Sequence, residues 1–270
     1  MKLEIEGVNY HIEILNEDKD QALVFLHGFT GSSNTWRNMQ AYFTDYKLVL
    51  IDLIGHGKTD STADPERFSM ELQLRDLKLL FERLDLQDFA LAGYSMGGRV
   101  ALAYACTYPE LLSALILESA SPGLKEEQQR ADRRKSDRLL AERILSGGID
   151  SFVDSWEKIP LFKTQKTLPE AVKAAVRAER LAQNPTGLAN SLLGMGTGSQ
   201  DSYWEAISQL ELPILLVTGE LDTKFTAIAE EMVLLMPQAV HREIVAGHAL
   251  HVEKPDEFAT IVREYLNKNF

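Results

Sequence analysis

The sequence predicts an α/β protein: a mostly parallel central sheet with helices on both faces and an inserted helical lid. Three observations carry this. Six short, mostly apolar runs end in glycine or polar turns (22–28, 47–57, 89–95, 113–119, 213–220 and 240–248). Helical patterns separate several of them. The alternation stops between about 120 and 206, where only helical patterns occur, and strand character resumes at Leu212.

Strands that are apolar almost throughout are buried on both faces, which is the habit of parallel sheets. Alternation of strand and helix then argues for a doubly wound sheet. Residues 2–15 predict two short strands, pairing antiparallel at one edge. The segment 69–85 repeats apolar residues at three- and four-residue spacing, and 97–109 is a small-residue helix stopped before Pro109. Four helical stretches fill the interruption. The division predicted is a core of residues 1–119 and 206–270, with a helical cap at 120–205. Insertions of this kind shape substrate pockets.

The chain has 270 residues and a net charge of -12, so its surface repels phosphate backbones and nucleic acid is not expected as a partner. Any anion site needs a local cluster of arginine or lysine. Cys106 is the single cysteine, which excludes an internal disulfide and a cysteine metal cage. The opening MKLEIEGVNY is unlike a signal peptide, and no apolar run approaches the ~20 residues of a membrane helix. The expectation is a soluble cytoplasmic protein with no membrane insertion. No metal cluster or nucleotide loop stands out, so no cofactor is expected. Oligomeric state has no signature here.

The stretch LAGYSMGGRVAL, residues 91–102, carries the chemistry. A strand, then Gly-Tyr-Ser-Met-Gly, then a helix is the context of a nucleophile elbow, with Ser95 exposed on a strained turn. A serine hydroxyl needs a base, and the expected chain order is serine, acid, histidine. Asp222 follows a strand, with Glu220 as rival. His248 follows the last strand, with His251 as rival. His251 is expected to open the last helix and cap or pack there, and its loss to be mild. The backbone N–H groups of Met96 and Phe29 are candidates for an oxyanion hole. His27 reads as structural, and His56 is assigned no chemistry.

Arg99 stands four residues past the serine, about one helical turn on. A cation there opposes the helix dipole by ~0.3–1 kcal/mol, so something negative should compensate. Two partners fit: a carboxylate from the lid, or a carboxylate on the substrate. The lid itself carries Arg130, Arg133, Arg134, Arg138 and Arg143. Arg130, Arg134 and Arg138 are spaced to share a face, with Arg133 offset. Arg180 is a further candidate. Trp156 and Phe162 could wall a pocket, although core packing is their default role. An acidic protein with several arginines near one serine points to a small substrate bearing more than one carboxylate.

With these residues in hand, the whole chain resembles the α/β-hydrolase fold. More narrowly it resembles the 2-succinyl-6-hydroxy-2,4-cyclohexadiene-1-carboxylate synthases of menaquinone biosynthesis. The matching stretches are FLHGFTGSSNTW, GYSMGGRVAL, ESASPGL with RADRRKSDR, W…PLF, GELDTKF and AGHALHVEKP, spanning positions 25 to 255. The resemblance implies Ser95, Asp222 and His248 as a triad. It implies Arg99, Arg133 and Arg180 as anion contacts, with Tyr94 and Trp156 lining the pocket. The loop at Asn184 and Pro185 departs from the family form, and Ile54 stands where related hydrolases carry proline. The reaction implied is a lyase elimination of pyruvate, with the serine oxygen as base. The alternatives are a serine esterase or C–C hydrolase acting on a carboxylated molecule, or a ligand sensor on a hydrolase scaffold.

Overall fold

The computed structural model describes residues 1–270. Eight strands form one sheet: β1 (Lys2–Ile5), β2 (Val8–Leu15), β3 (Ala22–Leu26), β4 (Lys47–Ile51), β5 (Phe89–Tyr94), β6 (Leu112–Glu118), β7 (Ile214–Gly219) and β8 (Ala239–Ile244). Their spatial order is β1-β2-β4-β3-β5-β6-β7-β8. The β1–β2 and β2–β4 pairs are antiparallel, and the rest are parallel. In β3, Val24 and Leu26 enter one core layer while Leu23 and Phe25 enter the other. That two-sided burial explains the unbroken apolar runs. Strand β8 is more exposed because it forms the edge.

Helix α1 (Met70–Arg83) is capped by Ser69, whose side chain accepts from the Leu72 N–H. Helix α2 (Met96–Thr107) ends before Pro109. Between β6 and β7 the chain contains no strand. It carries α3 (Glu127–Trp156), kinked at Gly148 where φ is 74°, then α4 (Glu170–Leu181) and α5 (Pro185–Met195). Helices α3 and α5 bury a small core of their own, with Ile144, Phe152, Val153, Leu188 and Leu192. Three helices complete the fold: α6 (Thr223–Leu235), α7 (Leu250–Glu253) and α8 (Pro255–Asn269).

Ile54 explains its own departure from the family pattern. Its N–H donates to Gln73 Oε1 at 3.1 Å inside the core, a bond that proline has no hydrogen to make.

The turn between β5 and α2 is fixed by close backbone approach. A Cβ on Gly97 would stand 2.3 Å from the Leu26 carbonyl oxygen, and one on Gly93 would stand 2.4 Å from the Gly97 oxygen. Helix α2 therefore presses directly on the ends of β3 and β5. Gly97→Val is expected to destabilise the fold by at least the ~1–3 kcal/mol typical of overpacking, since the obstacle is backbone. Urea unfolding of the variant measures this, and a midpoint equal to that of the parent would refute the packing account.

Candidate active site

Ser95 sits in that turn with φ 51° and ψ −104°, a strained conformation for a residue with a Cβ. Its N–H donates to the Glu118 carbonyl on β6 at 2.9 Å, which ties the strained residue to the sheet. Ser95 Oγ lies 3.0 Å from His248 Nε2, and His248 Nδ1 lies 2.6 Å from Asp222 Oδ2. A carboxylate only accepts, so Nδ1 carries the proton and donates to Asp222. Nε2 is then left with its lone pair, and the serine hydroxyl donates to it. Each member leaves the C-terminal end of a strand: Ser95 after β5, Asp222 after β7, His248 after β8. Aromatic rings hold the imidazole, with Phe225 at 4.6 Å and Tyr94 at 5.3 Å between centroids.

The two rivals lie elsewhere. Glu220 is exposed, and its N–H continues the pairing to the Ile244 carbonyl. His251 is buried in α7. Its Nδ1 meets both carboxylate oxygens of Glu118, at 2.8 and 2.9 Å, and its ring packs between Trp36 and Tyr94. Glu118 also accepts from the N–H groups of Leu250, at 2.6 Å, and His251, at 3.2 Å. Glu118 thus holds Ser95 by its backbone and the segment after His248 by its side chain. Sequence reasoning assigned it no role, although it is the last residue of β6.

Ser95, His248, Tyr94, Phe29 and Met96 line a cavity of about 240 Å³. Neither the Phe29 nor the Met96 N–H donates within the chain, because Phe29 is in a loop and Met96 opens α2. Trp156 is also at the wall, and its indole N–H is buried without a partner in the chain.

The arginines divide sharply. Arg99 lines the cavity and forms no ion pair. It donates to the Met195 carbonyl at 2.9 Å and to Gln200 Oε1, both neutral acceptors. The lid carboxylate considered as its partner is therefore not in contact. Burial first, and the nearby Arg133 second, push the Arg99 pKa down to about 10, so it remains a cation at neutral pH. Arg133 lines the cavity, with its Nε on buried Asp137 at 2.8 Å. Arg130 and Arg134 are taken by Glu127 on the lid surface, and Arg138 and Arg143 are exposed.

Arg180 lies in a neighbouring cleft that shares Phe29, Tyr94 and Phe162 with the Ser95 cavity. It does not line the Ser95 cavity. Its guanidinium stacks on Phe162 at 4.6 Å, bonds Gln165 at 3.2 Å and faces Glu157 at 3.5 Å, in an adjoining cleft. A buried guanidinium takes the carboxylate and amide within reach.

His27 and His56 are structural. His27 donates from Nδ1 to the Gly28 carbonyl and accepts the Leu53 N–H on Nε2, which fixes a neutral ring. Burial, reinforced by the neighbouring His27, lowers the His56 pKa to about 3.

Two outcomes follow. First, His251→Ala leaves the buried Glu118 carboxylate without its imidazole, so it is expected to cost about 3 kcal/mol of stability in chemical unfolding. Unchanged stability would show that Glu118 is satisfied without the ring. Second, the folded state keeps His56 neutral while the unfolded chain protonates it near pH 6.5. Stability is therefore full above that pH and falls as pH drops toward 3, by up to about 1.4 kcal/mol per pH unit. In urea titrations between pH 7 and 5, His56→Phe should flatten this slope by up to about one proton, most at the acid end; an identical slope would refute the assignment.

Residues 21–255 match the alpha/beta hydrolase fold family. A protein of Bacillus subtilis (strain 168), provisionally named as a 2-succinyl-6-hydroxy-2,4-cyclohexadiene-1-carboxylate synthase, is 46% identical over 97% of this chain and 96% of its own length. The 2-succinyl-6-hydroxy-2,4-cyclohexadiene-1-carboxylate synthase of Enterobacter sp. (strain 638) is 33% identical over 90% of this chain and 91% of its own. The solved structure of MenH from S. aureus superposes with a TM-score of 0.91 at 39% identity, covering 96% of this chain and 98% of that one. The chain belongs to the alpha/beta hydrolase fold family and, within it, to the 2-succinyl-6-hydroxy-2,4-cyclohexadiene-1-carboxylate synthases.

Proposed function

We propose that this enzyme eliminates pyruvate from 2-succinyl-5-enolpyruvyl-6-hydroxy-3-cyclohexene-1-carboxylate, giving 2-succinyl-6-hydroxy-2,4-cyclohexadiene-1-carboxylate, in the cytoplasm. The observation that carries this reading is the Ser95–His248–Asp222 chain of hydrogen bonds opening into a cavity walled by Arg99 and Arg133.

The ring proton to be removed lies at C2, beside the succinyl ketone. Ser95 oxygen takes it as its own hydrogen passes to His248 Nε2, and Asp222 stabilises the imidazolium that results. The electron pair from the C–H bond spreads onto the ketone oxygen, where the Phe29 and Met96 N–H groups donate to it. The new double bond forms at C2–C3, the old one shifts to C4–C5, and the C5–oxygen bond breaks. The enolate of pyruvate departs and receives the proton held on His248. The proton count closes, and no covalent bond to Ser95 forms.

Arg99 and Arg133 bind carboxylates of the substrate. Arg99 suits this because its existing acceptors are neutral, and an anion gives it the charge-assisted bond it lacks.

Pyruvate release, followed as a function of substrate concentration, tests the reading. Ser95→Ala should lose at least about 10²-fold in kcat, the scale of a general base. Arg99→Met should lower kcat/KM about tenfold to a hundredfold, mainly through KM. Absence of pyruvate release by the parent enzyme, or unchanged kinetics in both variants, would overturn the assignment.

A further inference from the structure

The cavity that holds Ser95 is lined by three cationic side chains, Arg99, Arg133 and Lys224, and by no aspartate or glutamate. The substrate proposed above carries three carboxylates: on the ring, on the succinyl arm and on the enolpyruvyl group. Arg180 lines the adjoining cleft, bonded to Gln165, and the third cation in the wall of the Ser95 cavity itself is Lys224.

Lys224 differs from the two arginines in how it is held. Arg99 is fixed by the Met195 carbonyl and Gln200, and Arg133 by Asp137. The Lys224 ammonium has no ion pair or hydrogen bond within the chain; it stands over the face of Phe225 in a cation–π approach, at 5.1 Å. Lys224 is the second residue of α6, two positions past Asp222, and the Phe225 ring beside it packs on His248. It also stands at a boundary. An outer cleft beside the Pro160–Thr167 turn shares Leu161, His248 and Lys224 with the cavity. Partial desolvation there, and next the Arg133 guanidinium, lower its pKa from the ordinary lysine value. Placing an anion between the two cations relieves that repulsion.

Resting on the elimination reading, we propose that Lys224 binds the carboxylate of the departing enolpyruvyl group. The arginines, each already anchored, hold the part of the substrate that stays a ring. The flexible, unpaired lysine at the boundary holds the part that leaves. When the C5–oxygen bond breaks, its electron pair moves onto the leaving oxygen. The fragment then carries an enolate charge beside its carboxylate until His248 returns the proton. An ammonium at that carboxylate stabilises the doubly charged fragment more than the singly charged enolpyruvyl ether it came from, so Lys224 contributes to kcat as well as to binding.

The test uses the full-length enzyme with Lys224→Met, Lys224→Gln and Lys224→Arg. Melting temperatures are taken as a fold control, and two products serve as inhibitors. The neutral variants should lower kcat/KM for pyruvate release about tenfold to a hundredfold, with part of the loss in kcat. Added pyruvate should inhibit them more weakly by a similar factor, while inhibition by the cyclohexadiene product stays within about twofold. Lys224→Arg should recover most of both losses. A purely structural role would weaken the two products together. That outcome, or unchanged pyruvate inhibition, overturns the Lys224 assignment while the elimination reading stands. A parent enzyme that releases no pyruvate overturns both.

Discussion

Everything at this site depends on holding Ser95 in a backbone conformation that serine disfavours. Such strain costs on the order of 1–3 kcal/mol and persists only where its surroundings over-determine it. Here the surroundings are specific. The Ser95 N–H is bound to the Glu118 carbonyl, and the glycines at 93 and 97 let α2 seat against β3 and β5. The result projects Oγ from the strand ends and leaves the Met96 N–H, at the start of α2, without an acceptor in the chain. Glu118 adds a second constraint. Its carboxylate gathers the Leu250 and His251 N–H groups and the His251 ring, so the segment carrying His248 is tied to the strand next to Ser95. The 3.0 Å Ser95–His248 contact is the product of these two attachments.

Around this reactive centre the electrostatics invert those of the whole molecule. A chain of net charge -12 presents a cavity whose charged wall residues are all cations. The inversion is local because the balancing acids lie behind the wall. Asp137 is buried beside Arg133 and influences Arg99, yet it does not face the cavity, and its second carboxylate oxygen has no hydrogen-bond partner. Burial raises the Asp137 pKa, and the two arginines oppose that rise. Asp137 thereby orients Arg133 without filling the space where a ligand carboxylate would sit. A cavity of this kind discriminates by charge number: a neutral ester gains little in it, and a polyanion gains at each cation.

The sequence carried the fold because its signals were local. Strands buried on both faces had to be apolar throughout, and the small residues around Ser95 had to permit contact between backbones. Chain order and strand ends were enough to choose Asp222 over Glu220 and His248 over His251. Lid arginines are different. A long side chain selects its partner from whatever the tertiary structure brings near, and helical spacing fixes only its starting direction. Arg130 and Arg134 found Glu127, and Arg180 found Gln165, Glu157 and the face of Phe162. Lys224 and Glu118 stood in stretches already singled out for their neighbours. Nothing in sequence spacing showed that one reaches the cavity and the other bridges two loops.

The central claim is that Ser95 removes a proton and never forms a bond to carbon. Intact-protein mass spectrometry of enzyme quenched during steady-state turnover of the enolpyruvyl substrate tests it most directly. Ser95 is expected to keep its unmodified mass while pyruvate accumulates. A turnover-dependent adduct on the Ser95 peptide, formed and lost at the rate of catalysis, would contradict it.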